Sequence, residues 1–303
     1  MASRIYSQGY RRKAQHAYGG RTGTWRRHVV TTNVPRAYDV ALADFDGAGL
    51  LDVAVAGYIS NLVTWHKNPG LGGWKNEWPR YVIDDDIVEV RTIHAIDMNG
   101  NGWSDLLCAG VGAREINSDP HGSQVVWYEN PGWPESQPWK KHVIDRESRV
   151  PIHGHPVDMT GDGKIDVVMA FGQIGTNSPV HAHEIVWYEN LGGGMKWKKH
   201  AIGKLPYAFE AVAADLDGDG QMEVVASAWA LGNQVVWFKH DGNPRGSWTM
   251  HTIRKNWPAA NPVIVADLTG DGWMDVIAVA DDGSRRVAGA NELRWWRNDG
   301  AHA

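Results

Sequence analysis

The chain alternates short apolar runs with acidic, glycine-containing turns, and this pattern occurs five times. A run such as VALAD precedes each turn and a run such as LLDVAVAG follows it, both rich in β-branched residues and bounded by Gly and Asp. Runs of this kind are typical of buried β-strands. The first aspartates of the turns recur at intervals of 52 to 61 residues and are Asp44, Asp97, Asp158, Asp215 and Asp267. Helical periodicity is absent, so the sequence predicts an all-β repeat protein.

Two further phrases complete each repeat. A tryptophan phrase such as VVWYEN alternates large apolar and polar residues, as a half-buried strand does. A third phrase such as WKKHVID follows four of the tryptophan phrases, and the remaining copy, TWRRHVV, precedes the first turn. Four strands in a unit of roughly 50 residues indicate a propeller blade. We therefore predict a five-bladed β-propeller of four-stranded blades, closed by residues 24–30 pairing into the last blade.

The repeats define the domain organisation. We expect a single propeller at residues 24–299, a basic and flexible tail at residues 1–23, and a short tail at residues 300–303. The composition includes 17 Trp and only 4 Phe. Wide indole rings suit the wedge between blades that splay outward, so the repeat explains the tryptophan bias.

Composition excludes several classes of protein. The net charge is −5 and no basic stripe stands out, which argues against a nucleic-acid partner. No apolar run approaches the ~18 residues of a membrane span. The N-terminus lacks an apolar core, so it is not an intact signal peptide. We expect a secreted or periplasmic protein whose signal has been removed, with Cys108 as a buried thiol.

The acidic turns carry oxygen ligands at positions 1, 3, 5 and 9 of a tight loop, a spacing at which they converge on a hard cation. Alternatively, these side chains only cap the turns by accepting backbone N–H groups. The predicted metal ligands are Asp215, Asp217, Asp219 and Glu223; Asp97, Asn99, Asn101 and Asp105; Asp158, Thr160, Asp162 and Asp166; and Asp267, Thr269, Asp271 and Asp275. The first turn has Ala48 at position 5, so we do not expect Asp44, Asp46 and Asp52 to hold an ion.

The turn pattern D-x-D-G-D-G-x-x-D followed by a strand resembles the FG-GAP or VCBS type of propeller repeat. The resemblance covers residues 25–299. It implies a propeller with structural Ca²⁺ in the acidic turns.

Candidate functional residues lie on the opposite face. The acidic turn joins the first and second strands, so the loops before the first strand and after the second open together on the other side. These loops differ from repeat to repeat, as binding loops on a rigid scaffold often do. Six of the 14 histidines cluster there. They could provide a general base, bind a transition metal, or form a polar rim without chemistry. They are His94, His121, His153, His155, His181 and His183.

The WYEN and HxxD phrases are also similar to those of propeller-fold sugar lyases and dehydratases. That resemblance implies proton abstraction by His94, His153 or His155, assisted by Tyr38 or Tyr58, on an acidic or oxidised sugar. The residues expected to bind the carbohydrate are Arg36, Asp39, Arg91, Arg114, His181, His183, Tyr207, Glu210 and Trp229.

Three alternatives remain open. A sugar-binding lectin would stack sugars on Trp229, Trp257 and Tyr58, a glycoside hydrolase would use Asp39 and Glu210 as its carboxylate pair, and a protein-interaction platform would expose an apolar face. A lectin with one site per blade needs equivalent loops. These loops are unequal, so we favour one asymmetric site and elimination over hydrolysis.

Overall fold

A computed structural model describes residues 26–58, 60–112, 122–172, 183–281 and 291–300. These residues form β-strands, turns and loops, and none of them lies in a helix that is long and apolar enough to cross a membrane. The strands are β1 (Ala37–Ala43), β2 (Asp52–Gly57), β3 (Leu62–His66), β4 (Arg80–Asp84), β5 (Val90–Ile96), β6 (Asp105–Gly110), β7 (Gln124–Glu129), β8 (Lys140–Asp145), β9 (Pro151–Val157), β10 (Asp166–Phe171), β11 (Glu184–Asn190), β12 (Trp197–Lys204), β13 (Ala208–Ala214), β14 (Glu223–Ala228), β15 (Gln234–His240), β16 (Trp248–Arg254), β17 (Ala260–Ala266), β18 (Asp275–Ala280) and β19 (Glu292–Trp296).

The strands form five antiparallel sheets, which we call blades 1 to 5. Blades 1 to 4 each contain four consecutive strands, and blade 5 contains β17, β18 and β19. Successive blades pack through their first strands, β1 on β5, β5 on β9, β9 on β13 and β13 on β17. The predicted all-β class and the five sheets are confirmed, and the first strands form the inner part of the array.

The tryptophan phrase and the third phrase pair across each blade. Trp127 lies opposite His142 in the register of β7 and β8, and the two rings stack with centroids 4.3 Å apart. The same stacked pair recurs in blade 3 with Trp187 and His200 and in blade 4 with Trp237 and His251. The recurring histidine therefore covers one face of the core tryptophan.

A buried carboxylate at position 9 of each turn joins strands of the same blade. Asp105 accepts hydrogen bonds from Met98 N at 2.9 Å and from Asn130 N at 2.8 Å. The Asn130 side chain then donates to Phe45 O of blade 1 at 2.9 Å and to Ser104 O at 3.1 Å. The group therefore fixes the turn and also ties blade 2 to blade 1.

The same connection recurs along the array. Asn190 donates from its side chain to Met98 O, which links blade 3 to blade 2, and Asn298 donates to Leu216 O, which links blade 5 to blade 4. Blade 1 differs, because the Asn68 side chain donates to Leu51 O of its own blade.

The two ends of the array expose faces that are buried elsewhere. Leu293 and Trp295 of blade 5 are 73% and 49% exposed, and Val40 of blade 1 is 60% exposed. Their counterparts in the other blades, such as Val63, Trp65 and Ile93, are buried. Within the described residues, blade 5 has three strands and residues 26–30 form no strand. Closure by residues 24–30 therefore stays a prediction.

The interblade asparagine should contribute measurably to stability. Asn130→Ala leaves the carbonyls of Phe45 and Ser104 without their donor, so we expect the free energy of unfolding to fall by about 2–3 kcal/mol. Urea unfolding followed by tryptophan fluorescence measures the change. Asn68→Ala is the matched control and should be less destabilising, by about 1 kcal/mol or more, because Asn68 is only partly buried and makes no interblade bond. Equal losses for the two variants would contradict the interblade role.

Candidate functional site

The inner strands all begin with the same strained backbone element. The residue directly before each inner strand is not glycine and yet adopts a positive φ. This conformation is uncommon for any residue with a side chain, and it is an outlier for a β-branched residue. These residues are Arg36 (φ 56°), Glu89 (φ 51°), Val150 (φ 58°), Tyr207 (φ 59°) and Ala259 (φ 54°). The carbonyls of Arg36 and Tyr207 accept hydrogen bonds from Tyr58 N and Trp229 N at 2.9 and 3.0 Å. The two kinds of loop on this face are thereby fixed to each other.

A register irregularity follows at the start of each inner strand. The pairing skips Tyr38 between Ala37 and Asp39, and it skips Arg91 and Phe209 at the equivalent positions of blades 2 and 4. Such bulges redirect a side chain out of the normal alternation. They bring the rings of Tyr38 and Phe209 to His153 of blade 3, at centroid distances of 5.7 and 5.0 Å.

His155 and Glu210 form the most buried polar pair of this cluster. His155 Nε2 lies 2.7 Å from Glu210 Oε1, and the Glu210 side chain is only 8% exposed. The ring of His94 lies 4.5 Å from that of His155, centroid to centroid. The structure thus brings together two histidines that occupy the same position, three residues before the first aspartate of their turns, on neighbouring blades.

Tyr38, Tyr58, Arg91 and His153 form the second half of the cluster. Tyr38 Oη lies 3.1 Å from His153 Nε2, and Arg91 Nη2 donates to Tyr58 Oη at 2.7 Å. The guanidinium of Arg91 lies 4.5 Å from the Tyr58 ring centroid and 5.8 Å from that of Tyr38. Arg91 is buried, whereas Tyr38 is 44% exposed. A buried guanidinium that contacts two tyrosine rings thus lies next to an accessible phenol.

Gly154 sets the position of the two blade 3 histidines. It lies between His153 and His155 and pairs with Met169 of β10. A Cβ at this position would lie 2.1 Å from Val168 O and 2.8 Å from Met169 Cα. Only glycine therefore lets β9 approach β10 closely enough to hold both rings in place.

Burial controls the protonation of the cluster. It lowers the pKa of His94 to about 3 and the pKa values of His153 and His155 to about 4. Burial raises the pKa of Glu210 to about 7. The imidazoles are therefore neutral at physiological pH, and the Glu210 carboxyl gains or loses its proton near neutrality. Neutral histidines beside a protonatable carboxyl form an arrangement suited to general acid and base chemistry.

Other predicted residues have structural partners. The Asp39 carboxylate accepts hydrogen bonds from Val40 N at 2.9 Å and Ile93 N at 3.0 Å, which joins blades 1 and 2. His183 Nδ1 accepts a bond from Tyr207 N at 2.9 Å, and their rings pack together. These residues shape the loops around the cluster.

The remaining candidates divide between the rim and the core. Trp229 contacts Phe209 with ring centroids 5.9 Å apart, and Arg36 is exposed at the loop before β1. Trp257 is 1% exposed and donates to Glu292, so it is a core residue and the expectation that it stacks on sugars is wrong. The other three, Arg114, His121 and His181, lie outside the described residues.

Phe209 was not among the predicted site residues. Its signal is positional, because it stands six residues before the first aspartate of its turn, where blades 1 and 2 have Tyr38 and Arg91. Aligning that position across the repeats would have identified it.

The acidic turns cap themselves through their first aspartate. Asp215, for example, accepts hydrogen bonds from Gly218 N at 2.7 Å and Gly220 N at 3.1 Å. Within the described residues, three carboxylates with ligand atoms within 4.8 Å of one another occur in two turns, Asp44 with Asp46 and Asp52, and Asp215 with Asp217 and Glu223. The first turn thus converges as the fourth does, despite Ala48.

A separate cavity of about 310 Å³ lies between blades 2 and 3, away from this cluster. It is lined by Ile144, Asp145, Glu147, Tyr188, Trp197 and Lys199. Tyr188 Oη donates to Asp145, and Lys199 Nζ lies 3.4 Å from the same carboxylate. These polar groups are already paired with one another. The cavity therefore offers no chemistry comparable to the group that we call the axial cluster, which consists of Tyr38, Tyr58, Arg91, His94, His153, His155 and Glu210.

Comparison with protein families identifies the repeat. A family model described as an FG-GAP-like repeat matches residues 44–108 and 158–226. Both stretches are similar to FG-GAP-like repeats. They cover the acidic turns of blades 1 to 4 and the strands that lie between turns 1 and 2 and between turns 3 and 4. No curated protein matches the chain.

Two solved structures illustrate which proteins the chain is similar to. The V. cholerae biofilm matrix protein Bap1 is 16% identical over 90% of this chain and 38% of its own, with a TM-score of 0.47. A triple arginine-to-alanine mutant of AofleA from Arthrobotrys oligospora is 11% identical over 81% of this chain and 65% of its own, with a TM-score of 0.44. The chain thus spans less than two thirds of either protein's length.

The raised pKa of Glu210 predicts a pH-dependent stability. The folded protein binds this proton more tightly than the unfolded chain does, so the free energy of unfolding falls as the pH rises from about 4.5 to about 7. The full decrease is roughly 3 kcal/mol at most. Urea unfolding at pH 5 and pH 8 should show that wild type loses more stability over this interval than Glu210→Gln. An equal pH dependence of the two proteins would show that Glu210 titrates normally.

Proposed function

We propose that the axial cluster binds an anionic carbohydrate, such as a uronic-acid polymer, and cleaves it by β-elimination at one asymmetric site. The observation that carries the proposal is the environment of Arg91. Its guanidinium is buried against the rings of Tyr38 and Tyr58, and its Nε has no hydrogen-bond acceptor within the described part of the chain. A sugar carboxylate would supply that acceptor and neutralise the charge. The aromatic rings offer apolar surface for the sugar ring.

The residues beside Arg91 fit the two proton transfers of an elimination. In the proposed step, neutral His153 takes the proton from the carbon next to the sugar carboxylate. The C–H electron pair forms a carbon–carbon double bond as the glycosidic oxygen leaves the adjacent carbon. Glu210, protonated below about pH 7, donates a proton to that oxygen. Arg91 stabilises the negative charge that develops on the carboxylate.

The asymmetry of the cluster supports one site in preference to five. The aligned inner positions carry Tyr38, Arg91 and Phe209 in blades 1, 2 and 4, and the remaining chemistry comes from His153 and Glu210. No two of these blades supply the same group. The alternative is a sugar-binding protein without chemistry, which the exposed Tyr38 and the loop aromatics would also serve.

We also infer that the acidic turns bind Ca²⁺ as a structural ion. The donors are carboxylate oxygens, which suit a hard cation. Asp44 Oδ1 and Asp217 Oδ1 are buried without a hydrogen-bond partner in the described residues, so the converging groups have oxygens left for a metal. For a transition metal, the described histidines do not supply three converging ligand atoms, and we do not propose one there.

Elimination is tested with uronic-acid polysaccharides by following the ultraviolet absorbance of the unsaturated product. Wild type should form product, and His153→Ala should lower kcat/KM by about 100-fold or more, because the base is lost. Arg91→Lys should mainly raise KM. His251→Ala is the control, since this histidine stacks on Trp237 away from the cluster. Activity should decrease as the pH rises through about 7, where Glu210 loses its proton.

The competing outcomes are distinct. Saturable binding of the polymer without product, unaffected by His153→Ala, would favour the sugar-binding alternative. Product formation that persists in His153→Ala would contradict the assigned base. Absence of both binding and product with all acidic glycans would remove the proposed function.

A further inference from the structure

Basic side chains reach into some of the acidic turns from the tryptophan phrase. The residue two positions after the central tryptophan is basic in blades 1, 4 and 5 and acidic in blades 2 and 3. These residues are Lys67, Glu129, Glu189, Lys239 and Arg297. The repeats therefore differ in charge at a position that faces the turn.

The two lysines contact the metal-ligand carboxylates directly. Lys67 Nζ lies 2.7 Å from Asp46 Oδ2 and also pairs with Glu135 of the neighbouring blade. Lys239 Nζ pairs with Asp217 Oδ2 and lies 3.9 Å from Asp219 Oδ2. Each ammonium therefore pairs with a carboxylate of the group that would hold a cation.

The lysines occur in the same turns as the convergent carboxylates. Within the described residues, the groups of three carboxylates are found in turn 1 (residues 44–52) and turn 4 (residues 215–223). Both turns have a lysine at the tryptophan phrase. A positive charge held within a few ångströms of an ion site repels a divalent cation and so opposes its binding.

We propose that Lys67 and Lys239 are the resident counter-cations of turns 1 and 4, and that a divalent cation binds these turns only by displacing the ammonium group. The lysine then sets the ion affinity of its turn, and the sequence DLDGDGQME of turn 4 binds Ca²⁺ more weakly than its carboxylates alone suggest. The proposal rests on the Ca²⁺ binding inferred above for the acidic turns and is independent of the axial cluster.

A terbium titration tests the proposal, with luminescence sensitised by tryptophan. Trp273 lies against turn 4, since a Cβ on Gly218 would be 3.4 Å from its ring. Lys239→Gln should bind Tb³⁺ at turn 4 at least about tenfold more tightly than wild type, because the competing charge is removed. Lys239→Arg keeps the charge and should retain the wild-type affinity. Trp273→Phe in the Lys239→Gln background should reduce the signal and so assign it to this turn.

Turn 1 provides an independent second variant. Trp103 lies against it, with its ring 3.1 Å from a Cβ on Gly47, so Lys67→Gln should gain affinity that Trp103 reports. Lys204→Gln, on an exposed lysine that pairs with Glu184, controls for the loss of one surface charge. Excess Ca²⁺ should also raise the Tm of Lys239→Gln more than that of wild type.

Three results would overturn the proposal. Unchanged or weaker Tb³⁺ binding in both glutamine variants would show that the lysines do not compete with the ion. A gain of affinity in Lys239→Arg equal to that in Lys239→Gln would show that charge is not the cause. An equal gain in Lys204→Gln would reduce the effect to net charge.

Discussion

The fold depends on the buried carboxylate at position 9 of the acidic turn, which in blades 1, 2, 3 and 5 accepts one backbone hydrogen bond from the turn and one from the end of the tryptophan phrase. Asp105 receives Met98 N and Asn130 N, and Asp166 receives Met159 N and Asn190 N. Burial raises the pKa of both aspartates to about 7, so holding them charged is unfavourable and the hydrogen bonds offset only part of that cost.

The asparagine that donates its backbone N–H to this carboxylate also links its blade to the preceding one. Asn130 and Asn190 use the rest of their amide groups to reach a backbone carbonyl of the preceding blade. Blade 4 has His240 in place of the asparagine. The inner strands are thus held at defined spacings, and residues such as His155 and Glu210, on different blades, reach hydrogen-bond distance. A repeated scaffold thereby supports a site whose residues do not repeat.

Much of the fold could be predicted from the sequence, because every repeat contains an acidic turn and a tryptophan phrase in the same order. These motifs give the positions of the strands, and they predicted the five sheets. The shared position of His94 and His155, three residues before an aspartate, placed both on the same side of the array, and the contact between their rings is a finding of the structure. Strand alternation was insufficient for Phe209, since a bulge reorients its side chain and the register shift has no signature in a single strand.

Contacts between segments that are distant in the sequence could not be predicted. The position-5 gap at Ala48 suggested that turn 1 lacks a convergent site, yet Asp44, Asp46 and Asp52 converge from positions 1, 3 and 9, the same positions that converge in turn 4. Lys239 is 22 positions from its partner Asp217, and only the strand pairing brings them together. Trp257 lies in an irregular segment with the composition of a surface loop, but packing against Trp296 buries it.

The proposed site requires the blades to bury a preorganised set of neutral imidazoles beside Arg91 and Glu210. Nitrogen-15 NMR of the histidine side chains, recorded from pH 3 to pH 8, measures their protonation directly. We expect His153 and His155 to remain neutral throughout the physiological range and to take up a proton only near pH 4, because burial disfavours their charged forms. Titration of both residues near 6.5, the ordinary value for an exposed histidine, would contradict it.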